Sequence, residues 1–352
     1  MTDYDVRAQI ALNDCDREPI HIPQAIQGHG LLLVLNLDAL TLEQGAGAIE
    51  DLTGQTRWIG LPIADLLGEV VGRRLRDMAA IREAGFAGRW RATNRLEYDV
   101  VVYYAPAAKA AGTEAASALR MVVEVEQSSQ QARLGVELIT RLDTAGAALE
   151  RSATVQGVCE RAADAFRSLT GFERVMIYRF LDDEAGQVVA ESRAGDATSF
   201  LNHHFPATDI PRQARALYLR NPVRVIPDTR YTPQPLRPLH PGEPPLDMSD
   251  SGLRSVSPIH IQYLHNMGVR ASASVSIIVD DVLWGLVACH SSTPLLLSYE
   301  LRVACTTLAR TLARQLKTKA DGTRIDLRYN DTQHGGGEAY RLMATTGWDT
   351  GR

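Results

Sequence analysis

Apolar positions fall along this chain in two rhythms, and the change between them divides it. From residue 31 to about 126 they come in short runs bounded by turn residues. These are Leu31-Leu32-Leu33-Val34-Leu35, then Leu96 to Ala105 (L-E-Y-D-V-V-V-Y-Y-A), then Leu119 to Val125. Runs of that length, rich in β-branched and aromatic side chains, predict strands. Helical spacing over Leu61 to Met78 and a loop from Pro106 to Ser117 complete a small α+β unit ending near Glu126. Ahead of it, Cys15 to Gly30 is irregular and punctuated by proline, which predicts an extended arm.

After Glu126 the period lengthens. Leu134, Leu138 and Leu142 recur four residues apart, so residues 127–151 are predicted as an amphipathic helix linking two domains. Val155, Val158, Cys159, Ala162 and Phe166 continue the period in a second helix that Gly171 can end. Strands are predicted at Val175 to Phe180 and Gln187 to Ser192. Ala273 to Val279, Asp280-Asp281 and Leu283 to His290 spell a hairpin. The last clear helix is Tyr299 to Leu316, with Leu301, Cys305, Leu308 and Leu312 on one stripe. Pro227 to Pro245 carries seven prolines, which rules out helix and strand and leaves a long loop. From Lys317 to Arg352 the chain is polar, contains Gly335-Gly336-Gly337 and shows no period, so a flexible tail is expected. The fold class is therefore α+β: an arm (1–30), a first sheet-centred domain (31–126), a second (127–316) and a tail (317–352).

Composition narrows the functional classes. Among 352 residues 45% are hydrophobic and 22% charged, enough apolar material for real cores. Lys and Arg number 37 against 42 Asp and Glu, and a net charge of −5 gives no reason to expect nucleic acid or an anionic membrane as partner. No apolar run approaches the roughly 18 residues of a membrane span, and the polar start Met1-Thr2-Asp3-Tyr4-Asp5 is unlike a secretory signal. Cys15, Cys159, Cys289 and Cys305 lie far apart, which argues against a zinc knuckle and a disulfide framework. The expectation is a soluble, cytoplasmic protein with reduced thiols.

Four stretches carry candidate chemistry. The arm reads C-D-R-E-P-I-H-I-P-Q-A-I-Q-G-H-G from Cys15; a cysteine near a terminus is most often an idle thiol. Phe205 to Tyr218 reads F-P-A-T-D-I-P-R-Q-A-R-A-L-Y, where Asp209 is placed to cap a helix whose first turn holds Pro211. Arg254 to Gly268 reads R-S-V-S-P-I-H-I-Q-Y-L-H-N-M-G, which on its own is a helix with one polar face and a buried histidine. Trp284 to His290 reads W-G-L-V-A-C-H.

Each stretch alone allows a purely structural reading. In this order, from about Cys15 to about Gln315, they closely resemble the signature stretches of bacteriophytochromes. The resemblance implies a PAS domain followed by a GAF domain. It also implies a figure-of-eight knot, with the arm threaded through a loop at Pro227 to Pro245 and Ile26 at the crossing. The implied function is a red/far-red light photoreceptor holding biliverdin IXα, a linear tetrapyrrole, covalently on Cys15, with Z/E isomerisation of ring D as the signal. Relatives that carry the attachment cysteine in the GAF domain have it where this chain has Ile259. Cys159, Cys289 and Cys305 read as core.

By the same resemblance, Arg224 and Arg254 hold the propionates, supported by Tyr218, Ser257, Ser272 and Ser274. Asp209, with Ile210 and Pro211 beside it, serves the pyrrole nitrogens. His260 moderates the protonation of rings B and C, and His290 meets the ring D carbonyl. Tyr178, Phe205 and Tyr263 box ring D, with Met176, Val188 and Met267 lining the same pocket. A homodimer through helices 127–151 and 299–316 is implied, as is a signalling partner that the sequence does not identify. No catalytic residue, enzyme activity or metal is expected.

Two departures stand out. Gly28 replaces the family's usual proline, which loosens the arm beside the crossing. The residues after the last GAF helix match neither a PHY domain nor a histidine kinase, so a poorly held light-activated state is expected. Other readings compete. PAS and GAF folds also serve as small-molecule sensors for non-covalent ligands, which leaves the Cys15 arm unexplained. A metal hydrolase built on His203 and His204 lacks any H-x-x-x-H or H-E-x-x-H spacing. The two amphipathic helices are also consistent with an interaction module.

Overall fold

A computed structural model describes residues 18–106, 119–128, 135–195, 197–239 and 245–334, with side chains as far as Asp321. They form two compact units. The first comprises residues up to Gly135, Pro211–Ser274 and His290–Val303. The second comprises Val136–Ile210, Val275–Cys289 and the chain from Ala304.

The first unit opens with β1 (Ala25–Ile26) and contains a five-stranded antiparallel sheet. Its strands are β2 (Gly30–Asn36), β3 (Leu42–Ala46), β4 (Gly85–Arg91), β5 (Glu97–Pro106) and β6 (Leu119–Gln127), in the order β3-β2-β6-β5-β4. The unbroken run Leu31–Leu35 is explained by burial on both faces. Leu31, Leu33 and Leu35 pack with Val123, Val125 and the helices α1 (Ile49–Thr53), α2 (Ile63–Leu67) and α3 (Glu69–Ile81). Leu32 and Val34 pack on the other face with Val122, Tyr103, Leu246, Met248 and Leu253. Each such leucine contributes about 1.5–3 kcal/mol by leaving water.

Sequence periodicity predicted one helix over Leu61 to Met78. Gly68, at φ 83°, breaks it into α2 and α3. The linking helix was expected from residue 127, but Gln127 closes β6 opposite Tyr98. Among the described residues the helix α4 is Gly135–Glu150, and residues 129–134 lie outside them. The loop expected at Pro106 to Ser117 lies almost wholly outside the described residues.

In the second unit α5 (Val155–Thr170) starts at Thr154, whose side chain accepts from the Gly157 amide, and stops at Gly171 in the left-handed region, as its spacing predicted. Beside it run β7 (Arg174–Phe180), β8 (Gly186–Arg193) and β9 (His204–Phe205). Back in the first unit, α6 (Arg212–Arg220) is followed by β10 (Val223–Ile226) and β11 (Gln234–Pro235), then α7 (Pro258–Asn266). β12 (Ala271–Val279) and β13 (Val282–Ser291) form the predicted hairpin, whose turn residues Asp280 and Asp281 both take positive φ. A six-stranded sheet has the order β10-β12-β13-β7-β8-β9.

The last helix, α8, runs from Tyr299 to His334. It carries helix into the first part of the stretch expected to be a flexible tail from Lys317; residues 335–352 lie outside the described residues. Lys317 Nζ donates to Asp280 at 2.5 Å, and helix continues 18 residues past Leu316. Apolar periodicity could not show this, because the polar sequence from Lys317 onward carries no stripe. No helix among the described residues is long and apolar enough to cross a membrane.

Candidate functional site

In the first unit the chain brings two guanidinium groups into one buried place. Arg224 stands on β10, and Arg254 follows the loop that ends at Leu253. Arg254 is 7% exposed, and its Nη1 donates to the carbonyls of Met248 and Ser249 at 3.4 and 3.5 Å. Arg224 donates to the carbonyls of Gly252 and Ser255, both at 3.3 Å, and also to that of Arg254. Neither makes an ion pair with a carboxylate among the described residues. Burial and the charge of Arg254 pull Arg224 down to about 9, and burial lowers Arg254 as well. Two like charges held out of water with only carbonyl partners call for an anion.

The same unit carries other predicted residues. Ser257 caps α7, accepting from the Ile259 amide at 3.2 Å, and donates its own hydroxyl to Glu18 Oε2 at 2.5 Å. His260, on α7, is pushed down to about 4 by burial and by Arg224, so it is neutral at pH 7. Its ring stacks on Tyr263 with centroids 6.2 Å apart. Tyr218 on α6 acts electrostatically on both arginines. Ser272 is buried and Ser274 half-buried on β12, and His290 is half-buried on β13. Met267 packs with Ile226, Leu264 and Val269 in a small core of this unit.

The arm is tied into the same unit. β1 pairs with β11, Ile26 also bridges to Arg254, and Ile26 is fully buried. The Ser255 amide donates to Ala25 and the Gln27 amide to Leu253, at 3.0 and 2.8 Å. Gln27 Nε2 reaches the carbonyls of Val225 and Arg254 at 3.0 and 3.3 Å. A Cβ on Gly28 would lie 3.7 Å from the Thr232 carbonyl, ordinary contact distance.

The second unit carries an aromatic cluster. Met176, Tyr178 and Val188 are buried on β7 and β8. Tyr178 meets Phe180 edge-on at 5.3 Å and Phe205 at 6.0 Å, and Phe205 meets Phe200 at 6.2 Å. Glu191 fixes the approach to β9. It accepts from Ser199 Oγ at 2.6 Å and the Phe200 amide at 3.0 Å, while Arg174 lies 4.5 Å over the Phe200 ring. Asp209 ends a 3-10 turn, Ala207–Asp209, and does not cap α6 as its spacing suggested. Pro211 holds that position in extended conformation with no side-chain cap. Ile210 and Pro211 are half-buried.

Sequence reasoning missed Phe180, Phe200, Gln27, Tyr231 and Glu18. Phe180 was legible, since it lies two residues after Tyr178 on a strand and so shares its face. Tyr231, which accepts from the Val256 amide at 2.7 Å and bonds Ser255 Oγ at 2.8 Å, had no sequence signal.

Cys159, Cys289 and Cys305 are buried, as expected, and burial raises all three thiols, Cys159 and Cys305 to about 12. They are poor nucleophiles. Cys15 lies outside the described residues. Among those residues no group of three His, Cys, Asp or Glu side chains could hold a metal ion, and His203 packs edge-on against Phe200 at 5.6 Å. A cavity of about 350 Å³ between α4 and α5, lined by Leu142, Arg161, Asp164 and Ser168 among others, includes none of the predicted site residues.

The first unit thus holds two arginines with no ion-paired carboxylate among the described residues, and the second unit holds an aromatic cluster. The GAF domain model matches residues 154–316 and the PAS fold model residues 15–113. The chain is 39% identical over 310 residues to a bacteriophytochrome of Xanthomonas campestris, covering 87% of this chain and 47% of that one. It is 38% identical over 304 residues to the bacteriophytochrome of Pseudomonas aeruginosa, covering 84% and 39%. The chromophore-binding domain of a bacteriophytochrome from R. palustris superimposes with a TM-score of 0.79 at 36% identity, covering 88% of this chain and 99% of that one. The chain belongs to the bacteriophytochrome family. It spans less than half the length of the curated relatives it matches.

Proposed function

We propose that this chain is the light-sensing part of a red/far-red photoreceptor that carries biliverdin IXα on Cys15 and signals through Z/E isomerisation of ring D. One observation carries the reading: buried Arg254 and half-buried Arg224 lie close enough to repel each other, and among the described residues neither is ion-paired with a carboxylate. Biliverdin brings two carboxylate arms, and the planar guanidinium fork suits a carboxylate. Bound, the tetrapyrrole supplies the long-wavelength absorption and the light-driven rotation of its ring D.

The protein's own residues do the rest. Cys15 adds its sulfur across the ring A vinyl group: a C–S bond forms, the thiol proton passes to carbon, and nothing is oxidised or reduced. The raised, buried thiols of Cys159, Cys289 and Cys305 leave Cys15 as the nucleophile. Arg224 and Arg254 fix the propionates with Tyr218, Ser257, Ser272 and Ser274. Asp209, with Ile210 and Pro211, offers oxygen to the pyrrole N–H groups. His260, kept neutral, is free to accept or donate without adding charge. Met176, Tyr178, Val188, Phe205 and Tyr263 exclude water around ring D, and His290 meets its carbonyl.

The domain limits follow the same reading: arm to residue 30, PAS to 126, GAF to 316. The arm's bonds to β11 on one side and to Leu253–Ser255 on the other support a knot with Ile26 at its crossing. Exposed Val136 and Ile139 on α4 support a homodimer through α4 and α8 in the cytoplasm.

The deciding experiment adds biliverdin to wild type and Cys15→Ala, records absorption, and stains a denaturing gel with zinc. A far-red band with zinc fluorescence that Cys15→Ala loses is expected. No far-red band in wild type would overturn the proposal.

A further inference from the structure

Phe180, Gly186 and Phe205 stand in one row across three strands: Phe180 is opposite Gly186, and Gly186 is opposite Phe205. Directly opposed residues share a face of the sheet, and Tyr178, two residues before Phe180, shares it too. The row therefore has two phenyl rings with a lattice site between them that carries no side chain. Tyr178 fills it. An ideal Cβ on Gly186 would overlap Cζ, Oη and Cε1 of the Tyr178 ring.

Gly186 is buried and is not among the residues of positive φ, so backbone conformation does not demand glycine there. Space does. A second glycine seats the other end of the same residue: a Cβ on Gly285 of β13 would overlap the Tyr178 carbonyl oxygen. Tyr178 is thus held at its backbone by one glycine and at its ring by another, with Phe180 and Phe205 on either side.

We infer that Gly186 is a positioning residue for the chromophore site: its missing β-carbon sets the pose of the Tyr178 ring and so the shape of the pocket wall that Tyr178 forms. The inference rests on the proposed reading that Tyr178 faces ring D. Alanine at 186 cannot share the space, and since Gly285 pins the Tyr178 backbone, the ring has to rotate away. The relation is one of ring against methyl, so it disappears when the ring is removed.

The test is a cycle of four proteins: wild type, Gly186→Ala, Tyr178→Ala and the double variant, each read without and with biliverdin. Without pigment, Gly186→Ala is expected to lower Tm by about 2–4 °C when Tyr178 is present. In the Tyr178→Ala background it raises Tm, because alanine suits a strand better than glycine once there is room. Equal shifts in both backgrounds overturn the inference. With pigment, the absorption maximum and the light-minus-dark difference spectrum shift in Gly186→Ala, with zinc-stained attachment retained. Tyr178→Ala and the double variant share one spectrum. Coincident spectra for wild type and Gly186→Ala overturn the positioning role even if the melting cycle shows coupling. If wild type takes up no pigment, the photoreceptor reading fails, and the melting cycle still decides whether Gly186 seats Tyr178.

Discussion

Two sets of buried arginine in the first unit are treated in opposite ways. Arg302, in the first turn of α8, donates two parallel bonds of 2.6 Å to Glu126 on β6. Burial works to lower its affinity for a proton, and Glu126 more than reverses this, so its charge is held more firmly than in water. Glu126 answers in kind: burial acts to raise it, and Arg302 brings it below the usual carboxylate range. Arg254 is buried and Arg224 half-buried, yet desolvation and mutual repulsion pull Arg224 down to about 9, and their hydrogen-bond partners are carbonyls. A buried cation that brings its own anion is a fastening. A buried cation without one is, on the proposed reading, left for the carboxylate of a ligand. The cost of desolvation is similar in both places, and the presence of a counter-ion separates structure from binding.

The largest expected effect lies on the fastening. Arg302→Met strands Glu126 as an unpaired buried charge and should cost about 3–5 kcal/mol in denaturant unfolding. Adding Glu126→Gln should recover most of it. A loss below about 1 kcal/mol in the single variant would erase the contrast. Next comes the unmet pair. Arg254→Gln should leave the pigment-free protein as stable as wild type or more so, since it relieves repulsion with Arg224. It should weaken biliverdin binding about 10- to 150-fold, the worth of one charge-assisted hydrogen bond. Titration against urea melts separates the two effects; an Arg254 variant as unstable as the Arg302 variant would make both arginines structural.

The smallest effect is a pH dependence. His260 and His29 are both held near pH 4 by burial, against 6.5 in water. Between those values the unfolded chain takes up protons that the folded chain refuses. Stability is therefore fully present above about 6.5 and lost as pH falls towards 4. Glu124 opposes this. Burial and then the Glu126 charge raise it, so its protonation favours the folded state as pH falls. The net slope is thus smaller than the histidines alone would produce. His260→Gln should flatten the fall in urea midpoint between pH 7 and pH 5, and an unchanged slope would show that His260 is solvated.

Local pattern made much of the fold legible. The run Leu31–Leu35, the spacing of α5 with Gly171 at its end, and Asp280-Asp281 between two β-branched stretches each hold their signal within a few residues. β4 escaped because it is half-exposed, with a glycine-rich start and a bulge between Phe86 and Gly88. The end of α8 escaped because its sequence from Lys317 onward shows no apolar period. In the site, sequence motifs named Arg224, Arg254, Ser257 and His260, but not what each would touch.

What the sequence determined by itself was therefore local: the strands and helices whose periodicity faces a core, the turns whose residues accept positive φ, and the motif residues with their chemistry. The tertiary structure alone decided partnership. Glu126 and Arg302 are 176 positions apart, and nothing in the strand V-V-E-V-E announces which cation will close over it. The same fold brings Arg224 close enough to Arg254 to feel its charge, and puts Gly186 against a tyrosine ring rather than in a turn. A residue type carries its charge, volume and backbone freedom in the sequence. Desolvation and Coulomb energy depend on which groups the folded chain brings near and which it keeps from water, and those are properties of distance in space.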